Sequence, residues 1–220
     1  MSEDLRLPPV HGVLETPGVV RLEPLAPRHV PGLRAASEGA RAPFPASLAD
    51  VPTPDGAEAF AARSLARAQS GQYLPFAQID PRDGRVLGHT AYLSPRWFPG
   101  GRLLAVEVGS TWLTPAARGT AANSASKLVL FAWAFEEWGV ARLDIKTDAR
   151  NDRARAGIAA VGGRFEGVLR SWQPSAADGE DGRPRDTAMF SITADEWPEA
   201  RRALEERVAR KRAAGAPAGA

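Results

Sequence analysis

The sequence predicts a mixed α/β domain, α+β in the ordering of its elements, with a mostly antiparallel sheet flanked by helices. Three observations carry this. Apolar residues alternate between turn sequences over residues 74–113, which reads as an antiparallel meander. One strongly amphipathic stretch, Ala122 to Trp138, follows as a helical crossover. Strands and helices then intermix to the C-terminus, the pattern of layered helices and strands.

Val19 to Leu25 alternates in part and reads as a strand, and Ala26-Pro27-Arg28-His29 opens a short helix towards Ser37. Residues 39–55, rich in Pro and Ala without a period, read as irregular. Ala57, Phe60, Ala61, Ser64, Leu65 and Ala68 recur at helical spacing, so a helix is expected over 56–70. Leu74 to Ile79 and Val86 to Leu93 are strands about an Asp83-Gly84 turn. Ser94 to Arg102, with two Pro and two Gly, reads as a loop before the strand Leu103 to Leu113. Leu128, Phe131, Ala132, Phe135 and Trp138 share one face of the next helix, and Gly139 closes it. Arg142 to Thr147 is a strand and Asp152 to Val161 a short helix ended by Gly162-Gly163. Arg164 to Trp172 and Thr187 to Thr193 are strands joined by the polar loop 174–185, and Asp195 to Arg212 is a charged helix. The domain is expected over 1–200, with 201–220 the end of that helix and a small-residue tail.

The 220 residues and 44% hydrophobic content suffice for one core. Cysteine is absent, which excludes disulfides, thiolate mechanisms and Cys-based metal sites. A net charge of +2 is too small to drive nucleic-acid binding by itself. No stretch of about 18 apolar residues is present to span a membrane. Met1 to Pro9 carries charge where a signal peptide needs an apolar run, so a cytoplasmic protein is expected. No two His have ligand spacing, and no metal site is expected.

The most informative stretch is Glu107 to Asn123, where a strand ends at Pro115 and a loop of small residues feeds a helix. The unpartnered N–H groups of a first helical turn, with the helix dipole, attract anions. Gly119 and Ala121 would let a phosphate approach the backbone, and Arg118 offers charge. The plain alternative is a Thr- or Asn-capped helix with its Arg in solvent. The loop matches neither the triphosphate nor the dinucleotide glycine pattern.

In order along residues 10–200, several blocks resemble the GNAT N-acetyltransferase superfamily, in particular its ribosomal-protein N-terminal branch: Val20-Arg21-Leu22-Glu23-Pro24-Leu25, Glu107-Val108-Gly109, Arg118-Gly119-Thr120 with Asn123, Lys146-Thr147-Asp148-Ala149-Arg150-Asn151, and Phe165-Glu166-Gly167-Val168. The resemblance implies a sheet with a splayed strand and acetyl-CoA as co-substrate. The loop pattern Q/R-x-x-G-x-G/A falls on Ala116 to Ala121, with Ala116 departing at its first position. By resemblance, the backbone of Arg118, Gly119, Thr120, Ala121, Ala122, Asn123 and Ser124 holds pyrophosphate, and Leu113 and Thr114 bond the pantetheine arm. Asn151 either contacts that arm or is a plain helix N-cap. A homodimer is in keeping with the branch; neither nucleic acid nor membrane is expected as a partner.

The implied reaction moves acetyl from the thioester directly to a primary amine, on a protein N-terminus or a small molecule. Glu107 stands between Val106 and Val108, where a carboxylate is costly unless paired or functional. On a regular strand it shares a face with Gly109, Thr111 and Leu113. It is the candidate general base; a salt bridge to a neighbouring strand or a solvated edge is the alternative. His89 reads as structural, and His11 and His29 as surface residues. The resemblance implies a Tyr acid near the end of the helix after Asn151, but that position is Ile158, and the two tyrosines are Tyr73 and Tyr92. Two other classes remain open: an acyl-CoA-binding sensor without transfer, and an RNA-binding protein using the basic helix 199–212.

Overall fold

A computed structural model describes residues 5–41, 51–175, 177, 179–180 and 182–215. The expectations for 42–50, Asp178, Asp181 and 216–220 fall outside the described residues. The strands are β1 (Leu14–Thr16), β2 (Val20–Pro24), β3 (Tyr73–Ile79), β4 (Val86–Trp97), β5 (Leu103–Leu113), β6 (Arg142–Asp148), β7 (Arg164–Pro174) and β8 (Pro184–Thr193). The helices are α1 (Val30–Ser37), α2 (Ala57–Ala68), α3 (Ala122–Ala132), α4 (Asp152–Ala159) and α5 (Trp197–Gly215). All eight strands form one sheet in the order β1-β2-β3-β4-β5-β6-β8-β7. Every neighbouring pair is antiparallel except β5 with β6.

One face of the sheet packs α1 and α2 through Leu33, Phe60, Ala77, Ile79 and Trp112. The other packs α3, α4 and α5 through Val106, Val108, Phe131, Leu143, Ile158, Ile192 and Leu204. Fully burying a side chain of this size stabilises the fold by roughly 1.5–3 kcal/mol.

Strand β5 changes phase midway. Ala91 pairs with Gly109, yet His89 pairs with Trp112, so an extra residue is accommodated at Ser110, whose φ is 51°. Before the bulge, Val106 and Val108 face α3, while Glu107 pairs with Leu93 on the α2 face. After it, Trp112 joins the α1–α2 cluster and Thr111 meets α3. This corrects the expectation that Glu107 and Gly109 share a face with Thr111 and Leu113: the bulge inverts the alternation.

Other departures have local causes. β1 is three residues long, too short for a period, and Val19 N–H donates to Thr16 O to close its turn onto β2. β4 runs through Pro95 to Trp97 where a loop was expected; Ser94, at φ 52°, bends the strand, and Arg96 and Trp97 still pair with Ala105 and Leu103. β7 and β8 extend their hairpin to Pro174 and Pro184. The crossover helix ends in a π turn over Trp133–Glu137, with Trp138 N–H donating to Trp133 O at 3.1 Å. His29 is buried rather than on the surface: its Nε2 lies 3.0 Å from Glu23 Oε2, and its Nδ1 accepts from Ala26 N–H.

Candidate active site

β5 and β6 pair only where Ala105, Val106 and Glu107 meet Arg142, Leu143 and Asp144. β5 continues to Leu113 and β6 to Asp148 with no further pairing between them, leaving a wedge. The loop into α3 begins at its open end. Thr114 N–H donates to Leu87 O, and Thr114 Oγ1 accepts from Ala117 N–H at 3.3 Å. Gly119 has φ 78°, a conformation that disfavours side chains, and open space where a Cβ would stand. Thr120 Oγ1 donates to Ala117 O and accepts from Ala122 N–H at 3.2 Å. The N-cap is Ala121, which has no side-chain cap, so helix geometry leaves the N–H groups of Asn123 and Ser124 without intrahelical partners.

Arg118 turns inward. Its Nε donates to Leu113 O at 3.1 Å and its Nη2 to Ala40 O, tying the loop to the strand end. Burial, and then the nearby Arg153, lower its proton affinity. Asn123 Oδ1 is buried without a partner among the described residues. Asn151 caps α4, its Oδ1 accepting from Ala154 N–H at 2.9 Å. Two cations of α5, overlooked in the sequence, also reach this loop: Arg207 Nε donates to Ser124 Oγ and Lys211 Nζ to Gly119 O. Their four-residue spacing was legible; their destination depended on how α5 docks.

Glu107 sits at the closed end of the wedge, 5% exposed, with Lys146 Nζ donating to its Oε2 at 2.7 Å. A Cβ on Gly109 would lie 2.9 Å from Glu107 Oε1, so the glycine makes room for the carboxylate. Burial pushes the Glu107 carboxyl above the usual range, opposed by Lys146 and by a Ser94 hydrogen bond. Neighbouring Asp144 is tied up by Arg96 and by Arg142 at 2.6 Å. On the α3 side of β5, buried Lys127 donates to Thr111 Oγ1 at 2.9 Å; burial brings its amine down to about 7, with Glu107 opposing. His89 lies between the rings of Phe60 and Tyr73, its Nδ1 2.8 Å from Ser110 O, and burial lowers it to about 4. Ile158 is buried in the core. The Tyr73 hydroxyl reaches Ser110 Oγ at 3.3 Å, and the Tyr92 hydroxyl donates to Leu130 O.

The site therefore joins a buried carboxylate of raised proton affinity, strand edges free to bond an extended ligand, and a loop suited to phosphate. That donor set fits a phosphate-bearing acyl donor of the acetyl-CoA kind. Among the described residues no group of three or more His, Asp or Glu could hold a metal ion, and no helix is long and apolar enough to cross a membrane.

Comparison with known proteins agrees. Residues 20–164 match the acetyltransferase (GNAT) domain. No curated protein sequence matches the chain. Among solved structures, a GCN5-related N-acetyltransferase from Brucella melitensis is 28% identical, with 94% of this chain and 90% of that one covered and a TM-score of 0.76. Mycobacterium smegmatis RimJ in complex with CoA-disulfide shares the fold at 22% identity, covering 89% and 93%, TM-score 0.64. The ribosomal-protein-S5-alanine acetyltransferase from Vibrio fischeri shares it at 17% identity, covering 84% and 98%, TM-score 0.61. The chain belongs to the GNAT acetyltransferase family and is an acyltransferase.

Proposed function

We propose that the protein transfers acetyl directly to a primary amine, either the α-amino group of a protein N-terminus or a small-molecule amine. The observation that carries this is the wedge between β5 and β6, which opens onto the α3 loop and closes on buried Glu107. Acetyl-CoA, when bound, supplies the thioester. The edge of β5 that ends at Leu113 holds its extended arm, while Thr114, whose N–H and carbonyl are taken by Leu87 O and Ala117 N–H, turns the chain out of the strand. The loop from Arg118 to Ser124 holds its pyrophosphate, and Asn151 borders the arm from α4. Glu107 takes the amine proton, directly or through one water, and Lys146 holds the carboxylate in place. An α-amino group, with a pKa of about 7.7–8.0, costs about 1 kcal/mol to neutralise at pH 7, a Lys side chain nearer ~4.6 kcal/mol. A peptide N-terminus is accordingly the easier acceptor.

The test is thiol release from acetyl-CoA over a panel of amines and peptide N-termini, with cofactor affinity measured separately. Glu107→Gln should lower kcat by roughly 100-fold or more, the typical contribution of a general base, with unchanged acetyl-CoA affinity and loss of the acidic limb of the pH–rate profile. An unaltered profile would remove Glu107 from the reaction. Binding without turnover on every acceptor would favour a sensor instead.

A further inference from the structure

Arg207 and Lys211 lie four residues apart on α5, so their side chains emerge side by side. Leu204 and Val208 on the same helix are buried in the core shared with α3, which fixes α5 alongside the start of α3. There Arg207 Nε donates to Ser124 Oγ at 3.2 Å and Lys211 Nζ to the carbonyl of Gly119. Both acceptors are neutral. Among the described residues neither cation has a carboxylate within ion-pair distance, and nor do Arg118, which opens the same loop, and Arg153 near it. Elsewhere Arg142 pairs with Glu166, Arg150 with Asp148 and Glu180, and Arg201 with Glu136 and Glu205. In a molecule of net charge +2, Arg207 and Lys211 thus stand against residues 119–124 without a counter-charge, and Arg118 with Arg153 makes a second cation pair where that loop begins. Such a cluster repels itself until an anion completes it.

We propose that Arg207 and Lys211 form the subsite for the 3′-phosphate of CoA, beside the loop that takes its pyrophosphate. This rests on the acetyl-CoA reading above. Lys211 approaches the carbonyl of Gly119, and the trans peptide sends Thr120 N–H the opposite way, so at this peptide the cation and the N–H serve different sides of the loop. Each phosphate of the pyrophosphate carries one charge, which backbone N–H groups can serve. A phosphate monoester carries nearly two charges at pH 7, which two adjacent cations match. The carbonyl and hydroxyl that these cations now hold are weaker partners, which a phosphate dianion displaces. The match to the family domain ends at residue 164, so this subsite belongs to a part of the chain outside it.

The experiment is titration calorimetry on the full chain with CoA and dephospho-CoA. The wild type should bind CoA about tenfold or more tightly than dephospho-CoA, the worth of one or two charge-assisted bonds, and added salt should narrow the gap. Arg207→Ala with Lys211→Ala should abolish this preference while leaving dephospho-CoA affinity unchanged. Lys211→Met alone, at a half-exposed position, should remove part of it, and thermal melts of both variants confirm folding. Equal weakening of both ligands, or a preference that survives the double substitution, would overturn the assignment. A wild type that binds neither ligand would instead overturn the acetyl-CoA reading itself.

Discussion

Single residues show how burial sets protonation in this domain. His89 is fully buried, and its pKa falls from 6.5 to about 4. The unfolded chain therefore takes a proton first as pH drops. Stability contributed at this residue is intact above pH 6.5 and is lost as pH falls towards 4, by roughly 3 kcal/mol in all. Denaturant unfolding measured across that window should show the loss, and His89→Phe should flatten it; an equal slope in the variant would place the acid sensitivity elsewhere. Glu107 was legible in the sequence as a charge between two valines. Its partner Lys146 was not, because that contact depends on the parallel register of β5 and β6, which no local pattern encodes. His29 misled for a related reason: a polar neighbourhood in sequence said nothing of Glu23, six residues earlier, which receives it.

At the scale of elements, strands and helices with a clear period were readable, and failures fell where a period breaks. The bulge at Ser110 and the bend at Ser94 are single residues in left-handed conformation, and neither is a glycine, so neither announced itself. α4 shows what a readable signal is worth. Asn151 satisfies Ala154 N–H at its start, so Asn151→Ala should destabilise the protein by about 1 kcal/mol in a thermal or denaturant melt. If Asn151 also borders the cofactor arm, acetyl-CoA affinity falls in the same variant; Asn151→Asp, which keeps the cap, separates the two effects. For the candidate site, the loop was legible because small residues before an amphipathic helix carry a physical meaning. The docking of Arg207 and Lys211 was not, since it belongs to packing between helices distant in sequence.

Over the whole molecule, one apolar core runs from β1 to α5, with Leu14, Val20, Phe131, Trp197, Leu204 and Val208 in the same cluster. Trp197, Leu204 and Val208 each bury about 1.5–3 kcal/mol of side chain, a large part of the roughly 5–15 kcal/mol by which domains are stable. A chain ending at Ala194 should therefore lose cooperative thermal unfolding; a sharp transition in that truncation would show α5 to be an accessory. The strand order and the single parallel pair could not be read from spacing, because topology is decided by long-range pairing. That parallel pair also sets a conflict between durability and use. Substitutions that let β5 and β6 zip beyond Glu107 and Asp144 would add backbone hydrogen bonds and make the fold harder to melt. They would also close the seam in which an extended ligand lies, so selection for function must keep this sheet unfinished.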